Sequence, residues 1–90
     1  MEILIKKNDK NTFAVSIVSS VNSNHVVTLN DDIYFEMTES IKSKEELILF
    51  SFKFLLERES NTSILSNFNL EIIQSYFPEH KNEIQNCTKL

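Results

Sequence analysis

Ten consecutive residues set the terms for any fold this chain can adopt. From Leu47 to Leu56 eight residues are large and apolar, and only Ser51 and Lys53 are polar. The residues before them, Ser43-Lys44-Glu45-Glu46, have the form of a capping box, in which the serine hydroxyl accepts from the third helical N–H and Glu46 reaches back to the cap. A helix is therefore predicted from about Lys44 to Glu59, closed by the polar Glu57-Arg58-Glu59. At about 100° per residue the eight apolar side chains occupy more than the single stripe that a helix lying on one layer buries. This helix must be the spine of the domain, covered either by several other elements or by a second chain. Under the second alternative Leu47, Phe50, Phe52 and Phe54 are the candidate interface.

With 90 residues the chain supports one core, so residues 1–90 are read as a single domain. Residues 1–30 carry a period of two. Glu2 to Lys7 is a short strand, Asn8 to Asn11 a polar turn, and Thr12 to Ser19 a strand with Phe13, Val15 and Ile17 on one face. After the turn-rich Ser20 to Asn24, His25 to Leu29 is a third strand with Val27 and Leu29 facing the core and His25 at its entrance. The chain has no glycine, so asparagine and aspartate must supply its turns.

Residues 31–86 read as helical. Asn30 or Asp31 caps a short helix through Glu39, with Ile33, Met37 and Ile41 every four residues. Beyond the spine, Ile64, Leu65 and Phe68 fit one or two helical turns, and Asn69 caps a helix from Leu70 to Phe77. Pro78 suits the first position of a last short helix, Glu79 to Gln85, anchored by Ile84 and followed by a frayed tail from Asn86. The expected fold is α+β: a three-stranded antiparallel β-meander over residues 1–30 packed against three or four α-helices over residues 31–86.

Several segments together carry a family resemblance. Val27-Thr28-Leu29, Asp31, Tyr34, Glu46-Leu47, the run from Ser51 to Glu59 (SFKFLLERE), Ser63-Ile64-Leu65, Phe68-Asn69-Leu70 and Tyr76-Phe77-Pro78-Glu79 follow in order. This pattern, covering roughly residues 26–84, resembles a family of small bacterial proteins whose activity is uncharacterised. The family has aspartate where this chain has Asn69, and both residues cap helices. The resemblance implies a bacterial source and no particular chemistry. A strand over His25 to Leu29, a helix over Asp32 to Glu39 and a longer helix from Lys44 are also similar to ribbon-helix-helix DNA-binding proteins, whose paired strands enter the major groove. Against that similarity, the first helix is a turn short, the usual glycine between the helices is missing, and Asn24, Val26 and Thr28 offer no cation to DNA.

Composition excludes most familiar sites. Without glycine there is no phosphate loop, dinucleotide fingerprint or nucleophile elbow. One cysteine forbids an internal disulfide, and His25 and His80 have no metal-ligand spacing. The N-terminus lacks a signal-peptide core, and the longest apolar run is about half the roughly 20 residues that span a bilayer. A cytoplasmic location with Cys87 reduced follows, and the glycosylation-like Asn61-Thr62-Ser63 and Asn86-Cys87-Thr88 are then chance matches.

Charge is unevenly spread. Lys6, Lys7 and Lys10 outweigh Glu2 and Asp9 in residues 1–30, while residues 31–59 hold four basic against eight acidic side chains, within a net charge of −4. Phosphate contacts need cations, and only that lysine hairpin offers them; its simpler role is to solubilise the turn and guard a sheet edge. Asp31, Asp32 and Glu36 could share a cation, but aspartates at a helix start ordinarily cap it and complement its dipole. His25 and His80 read as ordinary strand-end or surface residues, and Cys87 as a tail residue with nothing near it to activate the thiol.

No catalytic, cofactor or metal residues are therefore assigned, and the chain is read as a non-enzyme with no cofactor. The functional expectation is a small non-enzymatic cytoplasmic protein-interaction module that pairs with itself as a homodimer or binds another protein, with no nucleic-acid or membrane partner. The alternative is a ribbon-helix-helix-like DNA-binding regulator.

Overall fold

The structure is a computed structural model that describes residues 2–38 and 43–88. It is an α+β fold. Strands β1 (Glu2–Lys7), β2 (Thr12–Val18) and β3 (Ser23–Thr28) form the expected antiparallel meander. Their pairing is residue for residue, from Glu2↔Val18 to Lys7↔Phe13 and from Thr12↔Thr28 to Ile17↔Ser23. That register places Phe13, Val15, Ile17 and Val27 on one face, where all four are fully buried. Asp9 closes the first turn without a glycine, its Oδ1 accepting from the N–H groups of Asn11 and Thr12 at 2.9 Å each. Those bonds hold the Asp9 carboxyl below its ordinary pKa.

Helix α1 (Asp31–Thr38) is capped by Asn30, whose Oδ1 accepts from the Ile33 N–H at 3.0 Å. Glu39 and Ile41, the expected end of this helix, lie outside the described residues. Helix α2 (Lys44–Leu56) starts at the predicted cap: the Ser43 hydroxyl accepts from the Glu46 N–H at 3.1 Å and donates to Glu46 Oε1 at 3.2 Å. It stops at Leu56 rather than Glu59. Beyond that point the N–H groups of Arg58 and Glu59 both turn back to the Leu55 carbonyl, while Arg58 Nη1 donates to the Phe54 carbonyl at 3.0 Å. A side chain thus satisfies a last-turn acceptor that a further helical turn would have used.

The segment after α2 departs most from expectation. A single 3₁₀ turn, Asn61–Ser63, leads into extended chain, and Asn67–Asn69 forms a fourth strand, β4, parallel to β3. The sheet order is β1-β2-β3-β4, so the sheet is mixed and the three-stranded meander is incomplete as a description of it. Ile64, Leu65 and Phe68 therefore do not form helical turns. Helix α3 (Ile72–Tyr76) begins later than Asn69 suggested, because Asn67–Asn69 pairs with β3 and the Leu70 N–H continues that pairing to the Thr28 carbonyl at 2.9 Å. Phe77 leaves the helical region, which proline disfavours for the residue before it, with φ −132° and ψ 85°. Helix α4 (Glu79–Thr88) then follows Pro78 directly and runs past the predicted end at Gln85.

These elements cover α2 within one chain. Leu47, Ile48, Ser51, Phe52, Phe54 and Leu55 are buried, an arc of about 160° at helical spacing. Phe52 meets His25 of β3 and Phe68 of β4, while Phe54 meets Phe77 and His80. The exposed line of the helix runs through Lys53. Among the described residues no helix is long and apolar enough to cross a membrane.

Candidate functional site

The fourth strand and the short elements around it enclose an apolar cleft of about 360 Å³. Its floor is Leu55, Ile64, Phe68 and Ile73, all buried in the core. At its rim stand Leu65 and Tyr76, with 49% and 65% of their surface exposed, and Glu59 and Ser63 supply its polar edge. Leu65 and Tyr76 are large apolar residues left open beside a concavity, the combination expected of a surface that receives an apolar group.

A buried polar chain fixes the wall of this cleft to the sheet. Asn61 Nδ2 donates to the Val21 carbonyl at 2.7 Å and to Ser23 Oγ at 2.9 Å. Ser23 Oγ lies 2.9 Å from His25 Nε2, and His25 Nδ1 lies 2.7 Å from the Leu65 carbonyl. A carbonyl only accepts, so Nδ1 carries the proton; Nε2 is then free to accept from the Ser23 hydroxyl, whose oxygen accepts from Asn61. Every link has a donor and an acceptor, which is the condition for a buried network to hold structure together rather than weaken it. Asn61 and His25 are buried, and each joins groups 40 residues apart in the chain. His25 is thus neither at a strand entrance nor on the surface. It sits within β3, on the inward face with Val27, where it anchors the extended segment that carries Leu65.

His80, too, is buried rather than on the surface. It is fully buried at the start of α4, and its Nε2 lies 2.9 Å from the Oγ of the equally buried Ser51 on α2. The Phe54 ring is 4.9 Å from the imidazole and the Phe50 ring 6.3 Å. Burial, reinforced by the nearby Arg58 charge and opposed by Glu79, lowers the His80 pKa to about 4. The ring is therefore uncharged near neutral pH. Among the described residues Nδ1 has no hydrogen-bond partner. A serine and a histidine at this distance are the elements of a nucleophile and its base. Here both are fully buried, and their hydrogen bond joins α2 to α4.

Arg58 closes the same junction from outside. Its guanidinium lies 3.6 Å from the centre of the Phe54 ring, and it reaches Glu79 at 3.4 Å and Glu83 at 3.3 Å. Stacking and ion pairing together tie the end of α2 to the first turns of α4.

The remaining sequence candidates fall elsewhere. Asp31 binds Lys44 Nζ at 2.7 Å and Lys10 Nζ at 3.3 Å, and these two lysines hold its carboxyl below the ordinary range. The acidic helix start is thereby engaged with the basic hairpin, and among the described residues no three His, Cys, Asp or Glu side chains gather as metal ligands. Cys87 belongs to the last turn of α4 rather than to a tail. Of the candidate interface, Leu47, Phe52 and Phe54 are buried inside the chain, and Phe50 alone keeps partial exposure. The cover that α2 requires comes from the meander together with β4 and α4, and neither β4 nor the reach of α4 is marked by the local pattern.

The chain matches no protein-family model, no curated protein and no solved structure. Its function must be argued from geometry. The ribbon-helix-helix similarity requires β3 to pair with β3 of a second copy, yet β2 lies along one of its edges and β4 occupies the other over Val26 to Thr28.

His25, Ser51 and His80 each lay on a periodic stripe. His25 alternates with Val27 and Leu29, Ser51 falls midway between Leu47 and Leu55, and His80 precedes Ile84 by four. Treating polar residues on apolar stripes as buried would have found all three.

Proposed function

We propose that the protein is a small non-enzymatic cytoplasmic interaction module that binds another protein through the cleft between α2, β4 and α3. The observation that supports this reading is the pairing of a rigidly anchored apolar floor with two exposed apolar residues, Leu65 and Tyr76, on its rim. A tyrosine at such a rim contributes large contact area at small entropic cost and keeps a polar tip in water. The partner this site suits presents one aliphatic or aromatic anchor, with a basic residue beside it to meet Glu59. Nucleic acid is disfavoured as a partner because Lys10 is engaged by Asp31, which leaves Lys6 and Lys7 beside an acidic body.

Selection of a displayed peptide library on the purified protein tests this. The selected peptides should share an apolar anchor and bind wild type but not the Tyr76→Ser and Leu65→Asp variants, both at exposed positions. Peptides that bind these variants as well as wild type, or selection of none, would refute the cleft as the binding site.

A further inference from the structure

Strand β1 lies at the edge of the sheet, with β2 on one side and, among the described residues, no strand on the other. Edge strands in monomers are usually protected by a bulge, a proline or an inward-pointing charge. No bulge or proline interrupts Glu2–Lys7, whose pairing with β2 is unbroken over all six residues; Ile3 and Ile5 face inward, and Lys7, opposite Phe13, is the one charge on that face and stands at the strand's end. Leu4 stands on the opposite face with half of its surface exposed. The two lysines at its end could guard the edge, but their position gives one of them another use.

We propose that β1 pairs antiparallel with β1 of a second copy of this chain, Leu4 opposite Leu4 on the two-fold axis, to make one continuous eight-stranded sheet. The proposal rests on reading the chain as an interaction module and adds a second surface to it. Its ground is the self-complementarity of Glu2-Ile3-Leu4-Ile5-Lys6. In antiparallel pairing, opposed residues share a face, so symmetric registers centre on Ile3, Leu4 or Ile5. Centring on Leu4 sets Glu2 of each copy against Lys6 of the other on the outer face and Ile3 against Ile5 on the core face. Centring on Ile5 instead sets Leu4 against Lys6 and Ile3 against Lys7, with no charge matched. Centring on Ile3 sets Glu2 against Leu4 and leaves Lys6 beyond the paired stretch. Only the Leu4 register matches charge to charge and apolar to apolar from Glu2 to Lys6, and the Glu2–Lys6 and Ile3–Ile5 matches each occur twice because of the dyad. The inward Ile3 and Ile5, partly exposed at the margin of the core in one chain, would gain cover from the partner.

Sedimentation equilibrium on the full chain, combined with charge exchange, tests the register. Wild type should dimerise in the micromolar range. Glu2→Lys and Lys6→Glu, each placing like charges opposite one another twice, should each raise the dissociation constant by roughly tenfold, and the double variant should restore it to near the wild-type value. Both positions are exposed, and circular dichroism confirms that each variant is folded. A monomeric wild type, a dimer indifferent to both single changes, or a double variant that stays weak would each overturn the proposal. Tyr76→Ser should leave dimerisation unchanged, so loss of peptide binding with an intact dimer marks failure of the cleft reading alone, and a monomer that still binds peptide marks failure of this one.

Discussion

Phe13, Val15 and Ile17 of β2 are buried at alternate positions, with apolar neighbours from β1 and β3 in register beside them. The segment from Ser60 to His80 is attached differently. Besides its buried apolar residues Ile64, Phe68, Leu70 and Ile73, it is tied by buried polar groups: Asn61 to Val21 and Ser23, the Leu65 carbonyl to His25, and His80 to Ser51. The contrast has an energetic meaning. Apolar burial tolerates imperfect geometry because it scales with area. A buried polar group contributes little net stability when paired and is costly when its partner moves away. The meander is thus held by contacts that degrade gradually, and the cleft wall by such contacts together with polar ones that fail abruptly.

Phe52 belongs to both regimes, since its ring packs on His25 and on Phe68. Phe52→Ala should have the largest effect of any change considered, about 3–5 kcal/mol of lost stability. Urea denaturation followed by both circular dichroism and tyrosine fluorescence should give coincident transitions at a lower midpoint. Separate transitions would mean that the two regions are less joined than their shared aromatic contact indicates.

The same contrast explains what could be read from the chain beforehand. The three meander strands and the Ser43 cap are specified by neighbours within a few residues, so period and capping pattern reveal them. β4 is three residues long, Asn67-Phe68-Asn69, too short to express any period, and it exists because β3 offers it a parallel partner. The cleft inherits that invisibility: its floor joins Leu55 to Phe68 and Ile73 through a strand with no local signature. The long reach of α4 was hidden in another way, since beyond Ile84 it carries no large apolar residue among Gln85, Asn86, Cys87 and Thr88.

Acid should weaken the α2–α4 junction by the next largest amount. The His80 pKa falls from 6.5 to about 4 on folding, so the unfolded chain takes up its proton first. The contribution is therefore complete above pH 6.5, is lost progressively as pH falls toward 4, and amounts to about 3 kcal/mol over that window. Comparing wild type with His80→Leu across pH 4 to 7 isolates it, because both proteins share every other titrating group. Wild type should lose stability relative to the variant as pH falls; parallel curves would place a charged or solvated ring at position 80.

Ser43→Ala should have the smallest effect, roughly 0.5–2 kcal/mol, because it removes one cap bond from an exposed helix start. The loss belongs to the locally encoded regime, so thermal melting should move without any change in the His80-dependent pH slope. An unchanged melting temperature would show that the cap contributes nothing to α2.

Of the two regions, the cleft wall should depend on the polar chain through His25 and the packing of β1 on β2 should not. Native-state hydrogen exchange in increasing denaturant, on wild type and His25→Phe, addresses this dependence directly, since phenylalanine keeps a ring against Phe52 and removes both imidazole hydrogen bonds. The Ile64 and Leu70 amides should open at lower free energy and with a smaller denaturant slope than the amides of Phe13 to Ile17, and the substitution should widen this gap. Equal free energies and slopes at all of these amides, in both proteins, would contradict it.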